Sequence, residues 1–173
     1  MYEHLLVALD GSPTAERVLA HAEALAGAFH STVTLVRVTV SAETLMAETA
    51  SPGNSVGEVG MIVDPTPILE GDRAEATEYL DSVAQRLRQK GVTVDTDRPE
   101  GAEAEQIVAR AAALGVTLIM MTTHGRSGLG RMVFGSVAES VLRHAPCPVL
   151  IVRVHDEERA EDEQPDDERH GST

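Results

Sequence analysis

Two uninterrupted apolar runs constrain the fold of this chain more than any other feature. Residues 4–9 read His-Leu-Leu-Val-Ala-Leu, and residues 116–122 read Val-Thr-Leu-Ile-Met-Met-Thr. A strand that is buried on both faces carries apolar residues at nearly every position, and such strands belong to parallel sheets covered by helices. Aromatic residues make up only 2% of the chain. We therefore expect a core of aliphatic side chains and methionine around a parallel sheet.

The rest of the chain alternates between strand-like and helix-like segments. We predict strands at residues 4–9, 32–38, 92–96, 116–122 and 148–153. We predict helices at about residues 13–30, 68–90, 103–114 and 136–144, the first one capped by Ser12. Strands that alternate with helices in this way are joined by right-handed crossovers. The pattern predicts an α/β fold with a single open five-stranded parallel sheet and helices on both faces.

Two segments do not fit this alternation. Residues 41–67 contain several Gly and Pro residues with weak periodicity, and we interpret them as a mobile excursion with a possible short helix near residues 42–49. Residues 155–173 contain nine acidic residues and two arginines, a net charge of −7 that is half of the total of −14. With no apolar residue larger than Ala, this segment is predicted to be a disordered tail. An acidic interaction tail and an adaptation to high salt are the alternatives. Residues 1–154 then form one domain.

The composition also excludes several classes of function. No run approaches the roughly 18 apolar residues of a membrane span, and the first residues lack the basic and apolar regions of a signal peptide. The single cysteine, Cys147, excludes an internal disulfide framework. The acidic charge makes nucleic acid a poor partner. We expect a cytoplasmic protein with no membrane insertion and no nucleic-acid partner.

The segment after the fourth predicted strand is the best candidate for a ligand site. In an open parallel sheet, ligands bind beyond the carboxyl ends of the strands. Ser136 and Glu139 match a capping box at the start of a helix, and a helix start preceded by glycine offers N–H groups to an anion. Gly125 allows close backbone approach, and Arg126 adds positive charge. The segment suits a phosphate cradle, although it lacks the Gly-Lys-Ser/Thr of a P-loop, and a structured turn without ligand explains the same residues.

Two residues at the ends of the first two strands complete this candidate site. Asp10 can accept hydrogen bonds from ribose hydroxyls, or it can simply cap the turn into the first helix together with Ser12. Val38 can offer its backbone groups to the edge of a base. His124, Ser12 and Ser127 have no recognisable metal or base partners, so we predict no catalytic residue and no metal site.

The whole span of residues 4–154 resembles the universal stress protein family. The resemblance is strongest over residues 123–131, Thr-His-Gly-Arg-Ser-Gly-Leu-Gly-Arg, and over residues 135–149, which begin with Gly-Ser. Residues 7–12, Val-Ala-Leu-Asp-Gly-Ser, match the opening strand and turn of the family. The resemblance implies a fold similar to adenine nucleotide alpha hydrolases, with the strand order 3-2-1-4-5.

ATP-binding members of that family carry the pattern G-x2-G-x9-G-S/T. Gly125, Gly135 and Ser136 match its second half, but Thr122 stands where the first glycine would be. Carried over by position, the resemblance implies ATP, with or without Mg²⁺, as the cofactor. Asp10 would contact the ribose, and the Val38 backbone the adenine. The implied binding residues are Ala8, Leu9, Asp10, Val38, Thr122, Gly125, Arg126, Gly135, Ser136 and Val137.

Three functions remain open at this point. The first is an ATP-binding regulatory or sensor protein that acts in a stress response, as a homodimer paired through residues 148–154, on an unknown regulatory protein partner. The second is an interaction module that needs no nucleotide, because Thr122 replaces the motif glycine. The third is a weak ATPase or self-phosphorylating protein. Asp10 is the only carboxylate that the sequence places near the site, so fast hydrolysis is not expected.

Overall fold

The computed structural model describes residues 1–44, 64–124 and 135–154, without the side chains of His124 and Val154. Five strands form one sheet: β1 (His4–Ala8), β2 (Thr32–Val36), β3 (Thr93–Asp97), β4 (Leu118–His124) and β5 (Val149–Val154). Their spatial order is β3-β2-β1-β4-β5, and all four neighbouring pairs are parallel. This confirms the predicted fold class and strand order.

Four α-helices lie entirely within the described residues: α1 (Leu19–Phe29), α2 (Thr66–Gln89), α3 (Glu103–Ala113) and α4 (Ser136–His144). Glycines with positive φ follow two of them, Gly91 after α2 at +84° and Gly115 after α3 at +63°. Glycine adopts this left-handed conformation without the steric cost that other residues incur, which is why it ends helices. Both helix ends lie where the sequence predicted them.

Several predicted boundaries were wrong, among them the end of β2, which lies at Val36 instead of Val38. The chain after β1 does not enter an α-helix at Pro13 but first forms a 3-10 turn, Ala15–Val18. The Ser12 Oγ accepts a hydrogen bond from the Ala15 N–H at 3.0 Å and so caps this turn. The fourth strand begins at Leu118 instead of residue 116, and its register with β1 starts at the pair Leu5–Leu118. Just before this pair, the Thr117 N–H donates to the His4 carbonyl at 2.8 Å.

Helices cover both faces of the sheet and enclose two cores. On one face, β-strand residues such as Leu35 and Met120 pack against α1, α2 and the 3-10 turn, with Leu80 of α2 fully buried. On the other face, Ile119 and Met121 pack against α3 and α4. Consecutive residues of each strand therefore point into different cores, as expected for strands buried on both sides.

Several predicted features lie outside the described residues. Residues 42–44 are helical, but the rest of the predicted excursion as far as residue 63 and the acidic tail at 155–173 are not described. In the ranges that are described, no helix has both the length and the apolar character needed to cross a membrane.

Candidate functional site

A cleft of about 220 Å³ opens beyond the carboxyl ends of β1 and β4. β1 lies between β2 and β4, so this is the point at which the order of the strands reverses, and ligands of open parallel sheets bind there. The cleft is lined by Ala8, Leu9, Asp10, Ala15, Val36, Val38, Glu103, Ile107, Met121, Thr122, Thr123, Gly135, Ser136, Val137 and Ala138.

Eight of the ten residues that the sequence nominated line this one cleft, although they come from four separate parts of the chain. These eight are Ala8, Leu9, Asp10, Val38, Thr122, Gly135, Ser136 and Val137. The other two, Gly125 and Arg126, lie outside the described residues. The fold thus brings the described candidates together.

Asp10 stabilises the turn after β1. One carboxylate oxygen accepts a hydrogen bond from the Ser12 N–H at 2.8 Å, yet the side chain remains exposed at the cleft. Gly11 between them has φ of +86°, and a Cβ at this position would lie 3.1 Å from the Arg37 Nη1. The capping role considered for Asp10 is therefore real, and it leaves the carboxylate accessible to a ligand.

The Arg37 guanidinium lies against this turn, next to Gly11. It donates a hydrogen bond to Glu75 at 2.9 Å and lies 5.6 Å from the centre of the Tyr79 ring. Burial raises the pKa of the Tyr79 hydroxyl, and the nearby Glu16 carboxylate raises it further. Tyr79 is thus neutral at physiological pH, and the positive charge of Arg37 is held beside the Asp10 turn.

Val38 lies two residues beyond the end of β2. The N–H groups of Arg37 and Thr39 donate to carbonyl groups on the β3 side, those of Asp97 and Pro99. Because peptide directions alternate along an extended chain, the N–H and C=O of Val38 point to the opposite side, toward the space beyond β1. Neither group is hydrogen-bonded to another described residue. Val38 therefore offers one donor and one acceptor to the cleft.

Thr122 and Thr123 contribute to the cleft from β4. The sequence had placed Thr122 at the end of this strand. The strand continues to His124, so Thr122 lies inside it. Thr122 is half-buried, and because side chains alternate it is directed to the face of the 3-10 turn, on the same side as Met120. Thr123 is only 6% exposed, and its Oγ1 has no hydrogen-bond partner among the described residues. No pattern in the sequence indicated this buried hydroxyl.

The N-terminus of α4 closes the cleft, and it is not capped as the sequence predicted. Gly135 is the N-cap residue, Ser136 is already the first helical residue, and no side chain of a described residue caps the helix. The Glu139 side chain accepts from Arg143 at 2.7 Å instead of reaching back to the helix start. The capping-box prediction was therefore wrong. Ser136 lies inside the helix and not at the N-cap position, from which its side chain would accept a hydrogen bond from the Glu139 N–H. No described residue outside the helix accepts a hydrogen bond from the first N–H groups of α4, which lie at the cleft.

The remaining lining comes from residues that sequence reasoning missed. Val36, Ile107 and Met121 form an apolar floor on the face covered by α3 and α4, and each is at most 6% exposed. Glu103, the first residue of α3, adds an exposed carboxylate. The start of α3 was visible in the sequence, but its position beside β2 depends on the sheet order.

A second hollow lies at the opposite end of the sheet, beside the C-termini of α1 and α2. His30, Lys90 and Gly91 are among its lining residues. Helix C-termini carry partial negative charge, so this hollow does not favour an anion. Within residues 1–44, 64–124 and 135–154, no three His, Cys, Asp or Glu side chains are grouped as metal ligands.

Known proteins are similar to this chain in sequence and in fold. Residues 1–153 match the sequence model described as the universal stress protein family. The universal stress protein YxiE of Bacillus subtilis is 30% identical over an alignment of 157 residues that covers 88% of this chain and 100% of that protein. A solved member of the universal stress protein family from Burkholderia pseudomallei is 31% identical, with a TM-score of 0.64, covering 87% of this chain and 96% of that one.

A further solved universal stress protein, in complex with cAMP, is 19% identical with a TM-score of 0.62. The match covers 88% of this chain and 97% of that one. At this identity the likeness shows the fold alone. The family match over nearly the whole chain, together with the sheet order and the YxiE relative, shows that this protein belongs to the universal stress protein family.

Proposed function

We propose that this protein is a cytoplasmic, ATP-binding regulatory protein of a stress response. The observation that carries the proposal is the N-terminus of α4, which lies at the same cleft as Asp10 and the peptide groups of Val38; among the described residues, neither that helix end nor Val38 has a hydrogen-bond partner there. Helix N-termini bind phosphate groups through their free N–H donors and their partial positive charge. An anionic group at one end of the cleft and a base at the other match these features.

Each group in the cleft suits one part of a nucleotide. The N–H groups at Gly135, Ser136 and Val137 would bind the phosphates, and the Asp10 carboxylate would accept hydrogen bonds from ribose hydroxyls. The N–H and C=O of Val38 would pair with the edge of adenine. Ala8, Leu9 and Thr122 would line the cleft between them. Gly125 and Arg126 join the proposed site only through the family resemblance. Mg²⁺, if it accompanies ATP, would be held by the phosphates, because the cleft offers it few carboxylates.

Thr122 leaves the base end of the proposed site open. The side chains of Thr122 and Thr123 project to opposite faces of the sheet. The Thr122 methyl group is therefore directed away from the face that carries Val38 and Ile107. A base placed on that face would not meet it.

The first test measures nucleotide on the protein directly. Freshly purified protein is denatured, released nucleotide is identified by mass spectrometry, and the stripped protein is titrated calorimetrically with ATP–Mg²⁺ and with cAMP. We expect stoichiometric ATP or micromolar binding. No nucleotide and no binding up to millimolar ATP would reject the proposal and favour an interaction module that works without nucleotide.

A matched pair of variants locates the phosphate site. Asp and Asn are of similar size and both are good N-caps, so Gly135→Asp and Gly135→Asn should each change the stability by only a few tenths of a kcal/mol. A Cβ at Gly135 meets no described atom within 4 Å. Only Asp adds negative charge where the phosphates would lie. We expect Gly135→Asp to lose at least 100-fold more ATP affinity than Gly135→Asn; equal effects would place the phosphates elsewhere.

We further propose that the protein forms a homodimer through β5, and that ATP changes the affinity of this dimer for a regulatory protein. β5 is an edge strand, paired with β4 alone among the described strands, and its residues Val149, Leu150, Ile151 and Val152 are only half-buried. The Pro148 carbonyl accepts from the Ile119 N–H on the β4 side, so by alternation the Ile151 N–H points outward. An open apolar edge invites pairing.

The dimer is tested by light scattering after size-exclusion chromatography. Ile151→Pro removes the outward donor and leaves the β4–β5 ladder intact, since proline is tolerated at such edge positions. We expect the variant to be monomeric and Ile151→Val to remain dimeric. A monomeric parent protein, or a dimeric Ile151→Pro variant with native circular dichroism, would refute pairing through this edge.

A further inference from the structure

Glu103 is a charged side chain at the cleft that the proposed nucleotide contacts do not use. It is the first residue of α3, and it faces the cleft together with Ile107, one helical turn later on the same side of the helix. Ile107 is 4% exposed and forms part of the apolar floor. Among the described residues, Glu103 has no ion-pair partner. Its carboxylate is thus free to accept hydrogen bonds from a ligand.

The fold holds the start of α3 next to Val38. Thr39, which follows Val38, donates its N–H to the Pro99 carbonyl at 2.9 Å and accepts from the Gly101 N–H at 3.1 Å. Glu103 comes two residues after Gly101. The hydrogen bonds of Thr39 therefore hold the segment that leads into α3 against the chain that contains Val38.

The charges in the cleft are arranged to orient a ligand. Carboxylates of Asp10 and Glu103 lie on the β1 and β2 side, whereas the N–H groups of α4 lie on the β4 side. A carboxylate repels phosphate and accepts from amino groups. A phosphate group is thus favoured at α4, and a ring that carries an amino group is favoured near Glu103.

We infer that Glu103 is a specificity-determining residue that makes the base end of the cleft select a 6-aminopurine over a 6-oxopurine. This inference rests on the proposed nucleotide-binding function. A 6-amino group carries two N–H donors, so the Val38 carbonyl accepts one and the Glu103 carboxylate accepts the other. A 6-oxo group places an acceptor oxygen against the carboxylate, and two acceptors facing each other repel. Gln at position 103 can turn its amide and donate to that oxygen.

The test compares ATP with inosine triphosphate, whose base differs from adenine only in carrying a 6-oxo group and a protonated N1. Dissociation constants of both are measured by calorimetry on the parent protein, on Glu103→Gln and on Glu105→Gln. Glu105 is the matched control because it lies in the same first turn of α3, is exposed, and does not line the cleft. Both changes alter the charge of that turn equally.

We expect the preference for ATP over inosine triphosphate to fall about tenfold in Glu103→Gln, the effect of losing one hydrogen bond to a charged group. The preference should be unchanged in Glu105→Gln. If ATP binds and the preference is the same in all three proteins, this inference is wrong while the proposed function stands. If no nucleotide binds the parent protein, both are overturned.

Discussion

The buried hydroxyl of Thr123 leads to a prediction whose sign is unusual for a core substitution. Thr123 is 6% exposed, and its Oγ1 has no partner among the described residues. A buried polar group without a hydrogen bond costs about 1–3 kcal/mol relative to one that is satisfied. Thr123→Val replaces this hydroxyl by a methyl group of nearly the same size. In the nucleotide-free protein, we expect the free energy of unfolding to rise by about 1 kcal/mol.

Thr34→Val is the matched control, because Thr34 is also a buried sheet threonine but has a partner. It is 4% exposed, and its Oγ1 lies 2.8 Å from the Nε2 of His4. The same substitution there breaks a hydrogen bond and leaves a ring nitrogen unpaired, so it should lower the free energy of unfolding by about 1–2 kcal/mol. The two variants are thus expected to differ in sign.

Urea denaturation followed by circular dichroism measures both changes, and equal slopes against urea show that the unfolded states are comparable. The corresponding change in Tm for Thr123→Val is about +2–4 °C for a chain of this size. If Thr123→Val destabilises the nucleotide-free protein as much as Thr34→Val does, the hydroxyl has a protein partner and the reasoning fails.

The nucleotide adds a second readout for Thr123→Val. If the hydroxyl is left unpaired in order to bind the ligand, saturating ATP should stabilise the parent protein more than the variant. We expect about a tenfold loss of ATP affinity in the variant, equivalent to about 1.4 kcal/mol of linked stability. Unchanged affinity would show that the hydroxyl faces the cleft without contributing to binding.

Three further predictions concern the fold. Leu80→Ala should lower the free energy of unfolding in urea by about 2–5 kcal/mol, because Leu80 is 0% exposed in the core between α2 and the sheet. Gly91→Ala should lower the free energy of unfolding by about 1 kcal/mol, because φ is +84° and a Cβ meets no described atom within 4 Å, so only backbone strain acts. Gly27→Ala, within α1 and equally free of described neighbours, should instead stabilise the protein by about 0.5–1 kcal/mol. Changes of the same sign in thermal unfolding would contradict this. Burial raises the pKa of the Cys147 thiol above its ordinary value, so Cys147 carries less thiolate at pH 7.5 than free cysteine does. Iodoacetamide should therefore alkylate Cys147 more slowly than free cysteine at pH 7.5, and an equal rate would contradict the upward shift.

Much of the fold was predictable because its signals are local. The apolar run of β1 and the glycines after α2 and α3 depend only on neighbouring residues, so Gly91 and Gly115 marked helix ends correctly. The start of α4 at Ser136 was also predicted correctly, but the capping box predicted for it was wrong. A capping box requires the helix to begin one residue after the serine, and a shift of one residue lies within the accuracy with which a pattern fixes a helix boundary.

The candidate site divides in the same way. The sequence by itself determined that Asp10, Val38 and Gly135 follow strands or precede a helix, which puts them at one edge of any parallel sheet. Only the tertiary structure decided that Glu103 lines the same cleft as Val38 and that, among the described residues, the buried hydroxyl of Thr123 has no partner. Those two facts depend on which strands and helices are neighbours, and that choice is made by packing between residues far apart in the chain, which no local pattern records.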